Sequence, residues 1–120
     1  MLMKRVHVIT PNDVEPYSPP NHTGTVNHRL IGKGSVSSEK VEIVIGCISG
    51  GGEALPHTHD IQEQFIYILS GEGVISSSGE DQSLVQGSLA YIPAGVAHRI
   101  AALSEKLGMF IIYVPPLEKA

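Results

Sequence analysis

What most limits the fold of this chain is how often glycine and proline interrupt it. Thirteen glycines and eight prolines fall within 120 residues. Between them, no stretch of ten residues carries the i, i+3, i+4, i+7 apolar spacing of an amphipathic helix. The uninterrupted pieces are short and rich in β-branched side chains. They predict strands over residues 5–9, 25–31, 41–49, 64–69, 73–77, 82–85, 89–92, 97–101 and 109–114. Many short strands with regular turns and no long helix specify an all-β sandwich or barrel.

Within that frame Val41, Ile43, Ile45 and Cys47 alternate with Glu42, Val44, Gly46 and Ile48. Both faces are largely apolar from Ile43 onward, as expected of a strand inside a sandwich. Gly71-Glu72-Gly73 and Ser78-Gly79-Glu80-Asp81 read as hairpin connections. The length suits one domain. Proline-rich residues 11–24 suggest an extended N-terminal arm over 1–24, followed by a barrel over 25–115. A short tail over 116–120 completes the chain, and residues from Pro115 onward are expected to fray.

Charge and cysteine content exclude several classes of function. The formal net charge is −4 and no Lys/Arg cluster stands out, which argues against a nucleic-acid or anionic-membrane surface. No apolar run approaches the roughly 18 residues needed to span a bilayer as a helix. Residues 1–15 have a basic pair but no continuous apolar stretch and no small-residue cleavage pattern, so no leader is read there. Cys47 is the one cysteine, so no intrachain disulfide can form. It is expected to be a buried, inert thiol. Together these features lead to an expectation of a cytoplasmic protein.

The chemistry is concentrated in two stretches. In the first, running from Gly51 to Gly71, His57 and His59 stand at i and i+2 on an extended segment, so both imidazoles face one side. In the second, Gly87 to His98, a strand leads through Pro93-Ala94-Gly95 to His98. An HxH pair by itself is weak evidence, and a single histidine is more often structural or exposed. Two imidazoles on one face can share one metal ion, and imidazole suits Zn, Fe, Cu and Ni alike, so ligand type does not choose among them. No Ser-His-Asp order, phosphate-binding glycine loop or cysteine metal site accompanies these histidines.

The two stretches resemble the paired motifs of the cupin family, G(X)5HXH(X)3-4E(X)6G and G(X)5PXG(X)2H(X)3N. Gly51, His57, His59, Gly71, Gly87, Pro93, Gly95 and His98 fall in register. The resemblance implies a double-stranded β-helix jelly roll with one divalent transition metal, Fe, Mn, Ni, Cu or Zn, held by His57, His59 and His98. It departs from the pattern at Ala102, where the family has Asn, and at the carboxylate ligand. Counting back from Gly71 puts Gln64 in the ligand position, with Glu63 one residue earlier. A one-residue shift on a strand reverses the side chain, so parity favours Gln64, while a bulge at residues 60–62 would favour Glu63. The difference is chemical. Three imidazoles and a carboxylate leave about +1 around a divalent ion. Three imidazoles and an amide leave about +2, a stronger Lewis acid with a weaker fourth ligand.

Members of this family include dioxygenases, isomerases, cyclases and lyases, so the resemblance implies a metal-dependent enzyme acting on a small enol, diketone or phenolic compound. A dioxygenase-like reaction is the favoured expectation, with Glu63 as a candidate catalytic base if it is not a ligand. The alternatives are an isomerase, cyclase or lyase, or a non-catalytic module that binds a small ligand. A homodimer is also expected, with the apolar strand near Phe110 and the proline-rich segment as candidate interfaces. Outside the motifs, His7 and His28 carry no signal, and His22 reads as loop surface with closure over a barrel mouth as the sharper alternative. Arg29 and Arg99 are candidates to hold a carboxylate, though parity turns Arg99 away from His98. Tyr17, Tyr67, Tyr91 and Tyr113 read as core or interface, with Tyr91 a candidate pocket wall.

Overall fold

The computed structural model describes residues 4–118. A 3-10 turn at Pro11–Asp13 precedes nine strands: β1 (Pro16–Tyr17), β2 (His22–Ile31), β3 (Glu42–His57), β4 (Glu63–Ser70), β5 (Glu72–Ser77), β6 (Glu80–Val85), β7 (Leu89–Ile92), β8 (His98–Ala102) and β9 (Lys106–Val114). There is no α-helix among the described residues, so none is long and apolar enough to cross a membrane.

The hydrogen-bonded order β6-β5-β8-β3-β9-β4-β7 wraps most of the way round, with β2 and β1 added beside β3. β3 is the corner. Its first half, Glu42 to Ser49, pairs with β9, and its second half, Glu53 to His57, pairs with β8. β2 follows both halves along the other edge, with a register shift between Thr23 and Thr25. The halves of β3 therefore belong to two facing layers, which makes the molecule a jelly roll.

Gly50-Gly51-Gly52 produces the corner. Gly51 has φ +81°, and a Cβ on Gly52 would lie 2.5 Å from the Thr23 carbonyl oxygen and 2.8 Å from that of Ser49. Only glycine permits so close an approach of backbones.

Alternation along each strand fills the space between the layers. Val44, Ile48, Ile66, Ile68 and Leu107 are fully buried there, joined by Met109, Ile111, Ile100 and Ile75. Each such aliphatic side chain contributes about 1.5–3 kcal/mol on burial. The inner face also buries a charge. Glu42 is 0% exposed and pairs with Arg29 at 3.0 Å, while its other oxygen accepts from the Leu117 N–H at 3.0 Å.

Several expectations need correction. Residues 5–9 form no strand. Val6 and Val8 are 88% and 87% exposed, because no edge of this barrel lies beside them to complete a ladder. β2 begins at His22, inside the segment read as an arm, and β3 runs through the glycines rather than stopping at Ser49. Gly71 does not connect a hairpin: β4 pairs with β7 and β9, whereas β5 pairs with β6 and β8, so the chain crosses between layers there. The true hairpin turn is Ser78-Gly79, both with positive φ, between β5 and β6. The described end of the tail is tied down by Leu117 on Glu42, by Gln62 on the Pro116 carbonyl at 3.2 Å and by Glu118 on Lys33 at 3.6 Å. Residues 119–120 lie outside the described residues. Cys47 sits on the outer face of β3 and is half-buried rather than core.

Candidate metal centre

His57 ends β3 and His98 opens β8, and the two face each other as a cross-strand pair. His59 follows in the loop, which is held by the Gly95 N–H donating to the His59 carbonyl at 2.8 Å. The three ring pairs are 4.3 Å (His57–His98), 4.9 Å (His57–His59) and 5.9 Å (His59–His98) apart between centroids. One nitrogen from each lies within 4.8 Å of the others, a grouping able to hold a metal ion.

Backbone carbonyls fix the imidazoles for that task. His57 Nδ1 lies 2.8 Å from the Leu55 oxygen and His98 Nδ1 lies 3.0 Å from the Val96 oxygen. A carbonyl can only accept, so each Nδ1 carries the proton and each Nε2 keeps its lone pair. Burial pushes the His59 imidazole down to about 4, assisted by His57 and then His98. Burial likewise holds His98 below its ordinary value, against the opposing effect of its bond to Val96. Both shifts favour the neutral imidazoles of His59 and His98, the form that binds metal.

The fit to a metal rests on unpaired atoms. His59 Nε2, His98 Nε2 and Gln64 Oε1 are buried with no hydrogen-bond partner in the protein. Buried polar atoms left without partners in a folded protein call for an ion, a water or a ligand. Gln64, 3% exposed, stands on the inner face of β4, and its Nε2 donates to the Tyr113 hydroxyl at 3.3 Å. Glu63 points to the outer face, where its carboxylate accepts from the Tyr91 hydroxyl, and it lines neither the cavity nor the triad. Period-two alternation on β4 thus places Gln64, not Glu63, beside the histidines. Tyr91 is correspondingly on the outside, its ring 5.2 Å from Phe65, although it also edges a second cavity that reaches His98.

His57, His59 and Gln64 line a cavity of about 320 Å³ between the layers. Its other walls include residues that the sequence left unplaced. His22 belongs to the wall rather than to loop surface; its Nδ1 lies 2.9 Å from the Thr25 hydroxyl and its ring 6.1 Å from His57. Arg29 reaches the cavity but is engaged by Glu42 and stacks over Tyr17 at 4.5 Å. Arg99 pairs with Glu53 at 2.6 Å, away from the triad as parity required. Tyr113 lies directly across β9 from Gln64, 5.4 Å from the His59 ring. The alternation of Met109, Ile111 and Tyr113 on β9 carried the signal for that placement.

Comparison with known proteins agrees with this geometry. The family described as cupin domain matches residues 44–115. An uncharacterized protein of Streptomyces coelicolor is 34% identical over 61 residues, covering 51% of this chain and 55% of that one, so the chain spans about half the length of this relative. Among solved structures, a predicted oxalate decarboxylase of Thermotoga maritima superposes with a TM-score of 0.80 at 21% identity, over 91% of this chain and 99% of that one. The polyketide cyclase RemF of Streptomyces resistomycificus gives 0.75 at 24%, over 95% and 80%. Likeness at these identities speaks for the fold alone. The matched region runs from β3 through β9 and holds all three histidines, Gln64 and both glycine-bounded motifs: the chain belongs to the cupin family.

Proposed function

We propose that this cupin is a metal-dependent enzyme, in which His57, His59 and His98 hold one divalent transition metal and Gln64 Oε1 is a weak fourth donor. The observation that carries this is the grouping of His57, His59 and His98, with the buried Nε2 atoms of His59 and His98 unpaired and the unpaired Gln64 Oε1 in the cavity that His57 and His59 line. When bound, the ion supplies a Lewis acid that polarises the oxygens of a chelating substrate. The protein's own residues do the rest. Leu55 and Val96 fix the imidazole tautomers. The apolar side chains of Ile48, Ile66, Met109 and Ile111 exclude water from one wall, and Arg29 and Tyr17 bound another.

The cavity volume suits a compact molecule, and the substrate class proposed is a small enol, diketone or phenolic compound. A dioxygenase-like reaction is the first reading. A cyclisation or lyase reaction is the second, favoured by the likeness to a polyketide cyclase. Glu63 is not proposed as the base, since it faces outward. The test is elemental analysis of protein expressed with Fe, Mn, Ni, Cu and Zn available, followed by oxygen-electrode traces with acetylacetone and catechol. About one equivalent of metal with oxygen uptake supports the first reading. Metal with substrate loss but no uptake supports the second. No metal, and none bound on later addition, refutes both.

We further propose that two copies pair through the outer face of the β3-β9-β4-β7 layer, in the cytoplasm. Two apolar rows cross that face, Ile45-Phe110-Tyr67-Leu89 and Ile43-Ile112-Phe65-Tyr91. Within them Leu89, Tyr91 and Tyr67 are 62%, 52% and 42% exposed, large apolar side chains on one face of the kind a standard interface of roughly 800 Å² per partner covers.

A further inference from the structure

We infer that the ligand of this cavity is a doubly charged oxygen chelator, and that Tyr113 is the positioning residue that makes the site ask for one. The inference rests on the metal-dependent reading above and narrows its substrate class to members that reach two charges on two oxygens, such as a catecholate, and away from singly charged diketone enolates.

The argument is an inventory of charge. Each neutral imidazole contributes none, and the tautomers of His57 and His98 are fixed by the carbonyls of Leu55 and Val96. The inward residue of β4 at the fourth position is an amide. The carboxylates around the barrel are committed elsewhere. Both oxygens of Glu42 are taken, by Arg29 and by the Leu117 N–H. Glu63 accepts from Tyr91 on the outer face. Glu53 pairs with Arg99, and Glu118, at the cavity margin, pairs with Lys33. Among the described residues no carboxylate is grouped with the triad. A divalent ion there would keep its full charge in a largely apolar cavity, where water screens poorly. A dianion offering two oxygens neutralises it; a monoanion leaves a buried net charge.

Tyr113 holds the Gln64 amide in place. Gln64 Nε2 donates to the Tyr113 hydroxyl, and the amide is planar, so Oε1 is turned to the other side, where it is buried and unpaired. Without that hydroxyl the amide loses the one side-chain hydrogen bond it makes among the described residues and is free to rotate, which takes Oε1 away from its place in the cavity. Tyr113 is itself locked, lying across from Gln64 on one side and from Glu42 on the other.

Zn2+-loaded protein, titrated calorimetrically with oxalate and with glycolate, tests this. The two probes form the same chelate ring and differ by one charge. The expected result is an oxalate-over-glycolate preference in the wild type larger than that of aqueous Zn2+, falling at least tenfold in Gln64→Glu. Tyr113→Phe is expected to lower Zn2+ affinity about tenfold, with the metal-free melting temperature falling only by the roughly 4 °C of one lost hydrogen bond. The same substitution in a Gln64→Leu background, where there is no amide to orient, is expected to have no further effect. Equal preference in wild type and Gln64→Glu overturns the ligand class. A full Tyr113→Phe effect in the Gln64→Leu background overturns the positioning role. If Zn2+ loads but neither probe binds, the chelating pocket is wrong; if no Zn2+ loads, the metal reading itself fails.

Discussion

Replacing His98 with leucine separates a metal ligand from a structural histidine. His98 is 2% exposed, its Nδ1 bonds the Val96 carbonyl and its Nε2 has no partner. In metal-free protein, His98→Leu gives up one hydrogen bond, about 1 kcal/mol, and relieves a buried unpaired nitrogen, about 1–3 kcal/mol. The volume change is small, so packing changes by less than about 1.5 kcal/mol. These contributions nearly cancel. With an unfolding entropy of about 2.1 cal/mol/K per residue, the chain has roughly 250 cal/mol/K, so the metal-free melting temperature should fall by no more than roughly 6 °C. Metal behaves differently. At free Zn2+ one hundred times its Kd, the wild type gains about 2.7 kcal/mol, or roughly 11 °C, and His98→Leu should gain almost none of it. Differential scanning fluorimetry of both proteins, with chelator and with Zn2+, reads the four temperatures. A metal-free loss above roughly 10 °C, or a metal-induced rise that survives in His98→Leu, would refute the reasoning.

Three further outcomes are expected. Arg29→Met strands the fully buried Glu42 carboxylate with a single backbone donor and should destabilise by about 3–5 kcal/mol, whereas Arg29→Met with Glu42→Leu should recover most of that, as read by urea unfolding. Gly71→Ala should destabilise by several kcal/mol, on the order of a core cavity, since its Cβ would lie 1.9 Å from the Lys106 oxygen at φ +84°; a melting temperature within a few degrees of wild type would contradict the chain crossing described at that residue. Tyr67→Arg, which puts a charge at the centre of the outer apolar rows, should convert a dimer to a monomer by light scattering with the metal-induced melting shift intact, and a monomeric wild type at about 100 μM would end the dimer proposal.

Local rules in the sequence determined a great deal. Glycine and proline spacing forbade long helices, and period-two alternation gave eight of the nine strands predicted, near their observed places. Parity alone put Gln64 inward and Glu63 outward, because side-chain direction on a strand is a local property that no distant contact has to supply. The same rule turned Arg99 away from His98. The motif frame grouped His57, His59 and His98, and the structure brings them together with His57 ending β3, His98 opening β8 and His59 in the loop after β3.

What required the tertiary structure were the choices that depend on partners far along the chain. Alternation at residues 5–9 is genuine, yet a strand needs an edge, and this barrel offers none there. The glycines before His57 form a corner because β2, β8 and β9 all pair with β3 beside them. His22 entered the cavity wall, and Arg29 became bound to Glu42, through pairings 13 or more residues distant. Tyr113 reached Gln64 across 49 residues. Periodicity states which way a side chain points; only the closed sheet states what it finds there, because register between distant strands is set by packing of the whole core.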